Sequence, residues 1–288
     1  MLMYLTWNQS PEIFRIGGFA LRYYSVAFML AFLLGYALLT RMLAIEQRPR
    51  RIADKLAVSM VLGTIAGARL GHALFYEPAY FLQHPLELIL PVTISHGRLL
   101  FTGYQGLASH GGAIGILVAV WLFSRKHRIS CIWVLDRLAV IIPLAGALIR
   151  IGNFFNSEII GIPSGLPWAV IFQRTDALPR HPAQLYEAAS YLLIYIFLIF
   201  LYNSHLAEKK PGHLFGAFLV LVFSARLLLE FVKEDQEIFE QGWWLNMGQL
   251  LSIPLILCGI YFLIFYGRRY GRKTTDKGVH HHGLPGRG

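Results

Sequence analysis

The sequence predicts an all-α integral membrane protein with seven transmembrane helices, and three observations support this fold class. First, 56% of the 288 residues are hydrophobic and only 15% are charged, whereas soluble domains carry about 25% charged residues. Second, the chain contains seven apolar segments, each near the ~20 residues that a helix needs to cross a bilayer. Third, basic residues collect in alternate loops. Helices are expected because open strands would leave backbone groups unpaired in lipid.

The seven apolar segments alternate with loops of unequal charge. They are predicted at 19–41, 56–76, 109–124, 132–152, 183–202, 212–232 and 246–267. Lysine and arginine are frequent after the first, third, fifth and seventh segments, and these residues favour the cytoplasm. The N-terminus is therefore expected outside and the C-terminus inside. Asp136 and Arg137, at the cytoplasmic start of the fourth span, are interpreted as inner-face anchors rather than site residues.

Two outer loops and the C-terminal tail have distinct compositions. The loop 77–108 is expected to form an amphipathic arm on the outer membrane face. Its apolar contribution comes from Phe81, Leu82, Leu86, Leu88 and Leu90. The loop 153–182 is rich in proline and is expected to form a small outer cap. Residues 1–273 are predicted to be one membrane domain, and 274–288, which includes His280–His282, a disordered cytoplasmic tail.

Polar side chains collect at the predicted outer ends of the spans. The densest group is the stretch 150–161, RIGNFFNSEIIG, in which Arg150 and Asn153 share a helix face because they lie three residues apart. Polar groups at membrane depth are costly, so their presence predicts a functional site. The candidate residues are Tyr24, Arg69, His110, Arg150, Asn153, Asn156, Glu158, Gly161, His181, Gln184, Glu187, Arg226 and Glu230.

Several candidates also have a purely structural interpretation. Arg69 is suited to an ion pair that ties helices together. Arg226 and Glu230 lie four residues apart on one predicted helix, which is the spacing of an intrahelical ion pair. Tyr24, taken alone, is typical of the aromatic belt at a membrane interface.

The residue types in this group suit a reaction at a lipid phosphate. Arginine binds phosphate through charge-assisted and often bidentate hydrogen bonds, and histidine exchanges a proton near neutral pH. The sequence has no GxSxG elbow, HExxH helix or Walker loop, so it gives no support to a serine hydrolase, a zinc protease or a P-loop ATPase. Cys131 and Cys258 lack metal-ligand spacing, and no metal or cofactor is expected.

The stretch 150–161 resembles the signature of the bacterial prolipoprotein diacylglyceryl transferases. Supporting matches, in the family's order, are GARLGH at 67–72, SHGGAIG at 109–115, RHPAQLYE at 180–187, RLLLEF at 226–231 and NMGQLLSIP at 246–254. Ile149 and Ser157 stand where glycine is usual, and Val222 stands where some relatives carry tyrosine. These departures bear on the cap shape and the lipid contacts rather than on the reaction.

The resemblance implies a multi-pass enzyme of the bacterial inner membrane with its active site toward the periplasm. Such an enzyme moves the diacylglyceryl group of phosphatidylglycerol onto the lipobox cysteine of a prolipoprotein signal peptide. A thioether forms and glycerol phosphate leaves, which is the first step of bacterial lipoprotein maturation. The expected partners are these two substrates and membrane lipids, without nucleic acid, and the enzyme is expected to be a monomer.

The resemblance also suggests a role for each candidate residue. His110 is the hypothesised base or proton relay for the cysteine thiol, with Glu187 or the lipid phosphate as alternatives. Arg150 and Arg226 are expected to bind the phosphate and to stabilise the charge that grows on it. The residues expected to shape or support the headgroup pocket are Tyr24, Arg69, Asn153, Asn156, Glu158, Gly161, His181, Gln184, Glu187 and Glu230.

Two other classes remain open from the residues alone. A transporter or an anionic-lipid-binding scaffold would also carry intramembrane charges and glycines, although no internal repeat of the kind common in transporters is found. An intramembrane protease would need a nucleophilic serine in a suitable motif, and Ser109, directly before His110, is a poor candidate. Release of glycerol phosphate in proportion to lipidated peptide distinguishes the transferase from both.

Overall fold

The computed structural model describes residues 4–17, 19–89, 92–95, 98–101, 108–234 and 245–266, and it is mostly helical. The helices, in chain order, are α1 (Tyr23–Ile45), α2 (Arg51–Phe75), α3 (Pro78–Gln83), α4 (Pro85–Ile89), α5 (Ser109–His127), α6 (Cys131–Asn156), α7 (Ala183–Asn203), α8 (Leu206–Lys209), α9 (His213–Leu229) and α10 (Met247–Tyr261). A 3-10 turn, Glu230–Val232, continues α9, and a π-helical turn, Phe262–Tyr266, continues α10.

Six of the described helices are long and apolar enough to cross a membrane, namely α1, α2, α6, α7, and α9 and α10 with their continuing turns. Each overlaps a predicted span. The remaining predicted span, 109–124, coincides with α5, a 19-residue helix that is not among the six. Its glycine-rich start and the basic residues of its last turn reduce its apolar content.

Short strands, which the all-α expectation omitted, accompany the helices. They are β1 (Leu5–Trp7), β2 (Glu12–Ile16), β3 (Phe19–Arg22), β4 (Val92–Ser95), β5 (Arg98–Phe101), β6 (Val170–Phe172) and β7 (Pro179–Arg180). Strand β6 pairs in parallel with β1 and antiparallel with β7. The pairs β2–β3 and β4–β5 are antiparallel hairpins, and β2 carries a bulge between Glu12 and Phe14.

The predicted arm, 77–108, is divided into α3, α4 and the hairpin β4–β5. The division of the helices falls at His84, which leaves helical geometry because a following proline disfavours it. Phe81 is buried, whereas Leu82 and Leu86 are exposed. The apolar residues therefore do not form one continuous helix face. Leu90 and the predicted tail 274–288 lie outside the described residues.

The chain forms two compact units, which we describe separately. The larger unit comprises Met1–Leu39 and Leu135–Gly288, and the smaller unit comprises Thr40–Val134. In the larger unit, α9 packs against α7 and α10. An apolar cluster joins the end of α6 to the cap loop, 153–182. It consists of Phe154, Ile160, Val170 and Phe172, with Trp7 packed against it.

Asp136 has a structural role in the larger unit that differs from the predicted one. It is fully buried, and its carboxylate accepts hydrogen bonds from the backbone N–H groups of Gly212 (2.7 Å) and Phe215 (2.9 Å). A carboxylate at a helix N-terminus satisfies unpaired N–H groups and complements the helix dipole. Asp136 therefore caps α9 from within the unit, and its neighbour Arg137 is buried as well. Both residues are therefore structural, and their position at the inner membrane face stays a prediction.

In the smaller unit, α2 and α5 pack at glycines. A Cβ atom placed on Gly71 would lie 2.7 Å from the Cα atom of Gly111, and one on Gly67 would lie 2.7 Å from the Cα atom of Gly115. Real side chains do not fit at such distances, so only glycine allows these backbones to meet. Close packing at small residues is typical of helix pairs in membranes.

Candidate active site

The signature stretch leaves its helix through a left-handed turn. After α6 ends at Asn156, Ser157 adopts a φ of 56°. Its N–H donates to the carbonyl of Phe154, and the N–H of Glu158 donates to the carbonyl of Asn153. This is the pattern of a helix C-cap, where glycine is favoured because it has no Cβ atom. Glycine would adopt this turn without strain at position 157, and the turn directs Glu158 back toward α6.

The polar residues of the signature form one hydrogen-bonded chain. The Nη1 atom of Arg150 donates to the Oδ1 atom of Asn153 (3.3 Å), as expected for residues on one helix face. The Nδ2 atoms of Asn153 and Asn156 donate to the two carboxylate oxygens of Glu158, each at 3.2 Å. Gln184, at the start of α7, donates to the carbonyl of Glu158 (2.6 Å). Four predicted site residues are therefore joined to Arg150.

Arg150 also begins a buried network of alternating charges. Its Nε atom lies 2.9 Å from the Oε2 atom of Glu187, whose side chain is 0% exposed. The Nζ atom of Lys233 lies 3.7 Å from the other oxygen of Glu187 and 2.9 Å from the Oε2 atom of Glu230. Neither oxygen of Glu187 forms a well-aligned hydrogen bond within the described part of the chain, so these contacts are mainly electrostatic.

Glu230 pairs with Lys233 rather than with Arg226, which corrects the ion pair proposed as a structural alternative. The helix α9 ends at Leu229, and a 3-10 turn follows. Residues three positions apart lie on the same side of such a turn, so Lys233 meets the carboxylate of Glu230. Arg226 instead interacts electrostatically with the buried hydroxyl of Tyr191 on α7, as Arg150 does. Both arginines of the predicted phosphate site therefore act electrostatically on the same tyrosine.

Glycines allow the close approaches that build this site. A Cβ atom on Gly248, at the start of α10, would lie 2.7 Å from the Cδ atom of Glu230. One on Gly152 would lie 3.1 Å from the Cδ2 atom of Tyr24 on α1. Tyr24 is half-buried and interacts electrostatically with Glu158 and Arg150. These contacts place Tyr24 beside the residues of the signature and Glu230 beside the start of α10.

Gly161 positions both the cap and Lys233. Its N–H donates to the carbonyl of His181, and its backbone forms an antiparallel bridge with Lys233. A Cβ atom at this position would lie 2.5 Å from the Cβ atom of His181 and 2.7 Å from the carbonyl oxygen of Val232. Gly161 is therefore an architectural residue, and its bridge fixes the backbone that carries Lys233.

The cap is held by Arg180 and by a short hydrogen-bonded chain of aromatic residues. Arg180 donates to Asp176 and to the carbonyl of Gly161. Hydrogen bonding to Arg180 lowers the pKa of the Asp176 carboxyl and raises the pKa of the Arg180 guanidinium. The Nδ1 atom of His181 lies 3.2 Å from the hydroxyl of Tyr186, which also accepts from the indole N–H of Trp168. His181 thus contacts Tyr186 at the start of α7.

Two predicted site residues belong to the smaller unit. The Nη2 atom of Arg69 donates to the carbonyl of Glu87, and its guanidinium lies 4.7 Å from the ring centroid of Phe81. Arg69 therefore ties α2 to the arm through a backbone carbonyl and an aromatic ring, whereas the structural interpretation was an ion pair. His110 lies in the first turn of α5 and is exposed.

Comparison with known proteins decides the family. The family model described as prolipoprotein diacylglyceryl transferase matches residues 11–265. The chain belongs to this family. Its membership confirms the resemblance seen in the sequence and the prediction of a transferase.

Relatives named phosphatidylglycerol–prolipoprotein diacylglyceryl transferase match nearly the whole chain. The protein of Chloroherpeton thalassium is 47% identical over 263 residues, covering 91% of this chain and 94% of the relative. The protein of Tolumonas auensis is 44% identical over 269 residues, covering 93% and 100%. The protein of Bacteroides fragilis is 41% identical over 278 residues, covering 95% and 99%.

Sequence reasoning missed two residues of this family member's site. Lys233 was not among the candidates, although its position three residues after Glu230 was a signal that the two could pair. Tyr191 lies one helical turn after Glu187 on α7 and was not considered, because an aromatic residue inside an apolar span resembles ordinary core packing. Within the described residues there is no group of three His, Cys, Asp or Glu side chains suited to a metal ion.

Proposed function

We propose that this protein transfers the diacylglyceryl group of phosphatidylglycerol to the lipobox cysteine of a prolipoprotein. The cysteine sulfur forms a bond to the glyceryl carbon, and the bond from that carbon to the phosphate oxygen breaks. The thiol proton goes to a base, and the electron pair of the broken bond leaves with glycerol phosphate. The names of the relatives support this reaction and these substrates.

The observation that carries the proposal is the position of Arg150. It connects the amide–carboxylate chain of the signature, through Asn153, to the buried charge network, through Glu187. These contacts orient the guanidinium, and a pre-oriented cation stabilises the charge that develops on a leaving phosphate. Arg226, beside Tyr191, supplies a second guanidinium for the same phosphate.

The base in this proposal is His110. Unprotonated imidazole accepts a proton near neutral pH, and a thiol with a pKa of about 8.5 must lose its proton to react. Glu187 is a weaker candidate, because a proton on its carboxylate would disrupt its contacts with both Arg150 and Lys233. A folded His110→Gln variant with near-wild-type turnover would exclude the histidine and leave the lipid phosphate as the acceptor.

The remaining parts of the proposal concern topology. In it, α5 is a seventh span, since 19 residues of helix extend about 28 Å, close to the ~30 Å thickness of the hydrocarbon core. The charge of the loops supports an N-terminus in the periplasm and a C-terminus in the cytoplasm of the bacterial inner membrane. The site is then on the periplasmic side, and the enzyme acts as a monomer.

A mass-shift assay on the purified protein tests the reaction. Phosphatidylglycerol is combined with a lipobox peptide or with its Cys→Ser counterpart, and the enzyme is wild type, Arg150→Ala or Arg125→Ala. Arg125 is an exposed arginine stacked on Trp121, so its variant controls for loss of a positive charge. We expect a diacylglyceryl adduct on the cysteine peptide and release of glycerol phosphate with the wild type and with Arg125→Ala.

The size of the Arg150 effect follows from its burial. Leaving a desolvated phosphate unpaired costs about 2–5 kcal/mol, which is roughly 30-fold to several thousand-fold in rate. Full activity of Arg150→Ala would overturn its role at the phosphate. A folded wild-type protein that binds phosphatidylglycerol without forming any adduct would favour a lipid-binding scaffold or a transporter instead.

A further inference from the structure

The smaller unit carries an apolar groove whose lining residues have no role in the proposed reaction. It lies along α2 and α5 and has a volume of about 960 Å³. Six exposed apolar side chains line most of its length: Val58, Leu62, Leu70, Ile114, Val118 and Leu122. A volume of this size is at the upper end of the roughly 300–1,000 Å³ of ligand pockets. The groove is therefore large enough for a lipid-sized ligand.

The charged groups that line the groove lie together at one end. They are Asp54, Lys55, Lys126 and His127. The carboxylate of Asp54 lies 3.9 Å from the Nε atom of Arg50. Lys55 and Lys126 are exposed, and neither has an ion-pair partner among the residues that the structure describes. This end of the groove therefore offers two lysine ammonium groups to a ligand.

The length of the groove matches the depth of a membrane. From Asp54 to Phe75, α2 rises about 32 Å, and the hydrocarbon core of a bilayer is about 30 Å thick. The lysines then lie at the headgroup level of one leaflet, and the apolar walls lie beside the acyl chains. A ligand that fits has an apolar body and one negatively charged end.

This pattern favours an anionic phospholipid over an apolar helix. A secretory signal peptide has a basic segment ahead of its apolar run, and that segment would lie against Lys55 and Lys126 with the same sign of charge. A phospholipid phosphate has the opposite sign and attracts juxtamembrane lysines. Charge complementarity therefore selects the lipid.

We propose that this groove binds one anionic phospholipid of the leaflet at its basic end. The phosphate lies against Lys55 and Lys126, and the acyl chains cover Val58, Leu62 and Leu122. The proposed site uses none of the side chains that the proposed reaction needs, and its test does not depend on turnover.

Native mass spectrometry of the delipidated full-length protein tests the proposal. Phosphatidic acid and phosphatidylcholine with the same acyl chains are titrated onto wild type and onto Lys55→Gln/Lys126→Gln. The control is Lys209→Gln/Lys210→Gln, which removes the same charge from exposed positions of the larger unit. Each groove lysine contributes roughly fivefold, so we expect about thirtyfold weaker binding of phosphatidic acid by the groove variant alone. Phosphatidylcholine should bind weakly to all three proteins.

Two further variants locate the ligand. Ala66 is an exposed residue of the groove, and Ala66→Trp should fill it and displace the lipid. A photoreactive residue at Leu62 should crosslink to phospholipid in vesicles. Equal loss of phosphatidic acid binding in the groove and control variants would overturn the proposal. So would crosslinking at Leu62 to a signal peptide or to a second copy of the chain in place of lipid.

Discussion

Lys233 offers a sharp test of the buried charge network, because it is the cation shared by two carboxylates. Its side chain is 2% exposed, and its Nζ atom lies 2.9 Å from Glu230 and 3.7 Å from Glu187. Replacing it with methionine keeps the length of the side chain and removes the charge. Both carboxylates then lose this cation, and Glu187 keeps only its contact with Arg150.

The magnitude follows from the burial of all three groups. Removing one partner of a buried ion pair costs about 3–5 kcal/mol, because the remaining charge stays desolvated. For a chain of this size, that corresponds to a fall of roughly 6–20 °C in Tm. Lys233→Arg retains the charge and should lose much less. Turnover should fall as well, because Glu187 also orients Arg150.

The assay combines apparent Tm in detergent, at one fixed scan rate, with turnover from the mass-shift assay. A second variant separates the charge effect from a packing effect. In Lys233→Met, Glu230 is expected to destabilise the protein because its charge has no partner. Lys233→Met/Glu230→Gln, which removes that charge, should therefore recover a large part of the fall in Tm. Unchanged stability of Lys233→Met, or no recovery in the double variant, would refute the reasoning that this network is held together by its charges.

Three further changes and one control substitution test the cap. Gly161→Ala should lower Tm and turnover, since overpacking costs about 1–3 kcal/mol. Gly165→Ala is the control and should leave both unchanged, because a Cβ atom there meets no atom within 4 Å. Ser157→Gly should raise Tm slightly by relieving the positive φ, and a lower Tm would contradict this. The hydrogen bond to Arg180 lowers the pKa of Asp176 in the folded protein. This bond therefore contributes its full stabilisation at a pH above the pKa that Asp176 has in the unfolded chain. The stabilisation is lost as the pH falls through the lower pKa of the folded protein. Asp176→Asn should therefore be more sensitive to proteolysis at neutral pH, with the difference vanishing in acid.

Local patterns predicted much of the helical framework. The six described helices that are long and apolar enough to span a membrane overlap predicted segments, because such a run of apolar residues is a property of the chain itself. The contact between Arg150 and Asn153 was also predictable, since three residues on a helix return to the same face. Strands were missed because β1 and β6 are three residues each, which is too short for an alternating pattern to be recognised in the sequence.

The sequence by itself determined the spans, the family and the signature stretch, because each depends on residues that are near one another in the chain. Only the tertiary structure decided which charges meet. Arg150 and Glu187 lie on different helices, and the backbone of Lys233, which also contacts Glu187, is held by its bridge to Gly161. Such pairs depend on how helices and the cap pack, and helical spacing alone favoured Arg226 over Lys233 as the partner of Glu230. The charge network is thus a product of packing, whereas Arg150, Glu187 and Glu230, although not Lys233, were candidates from the sequence.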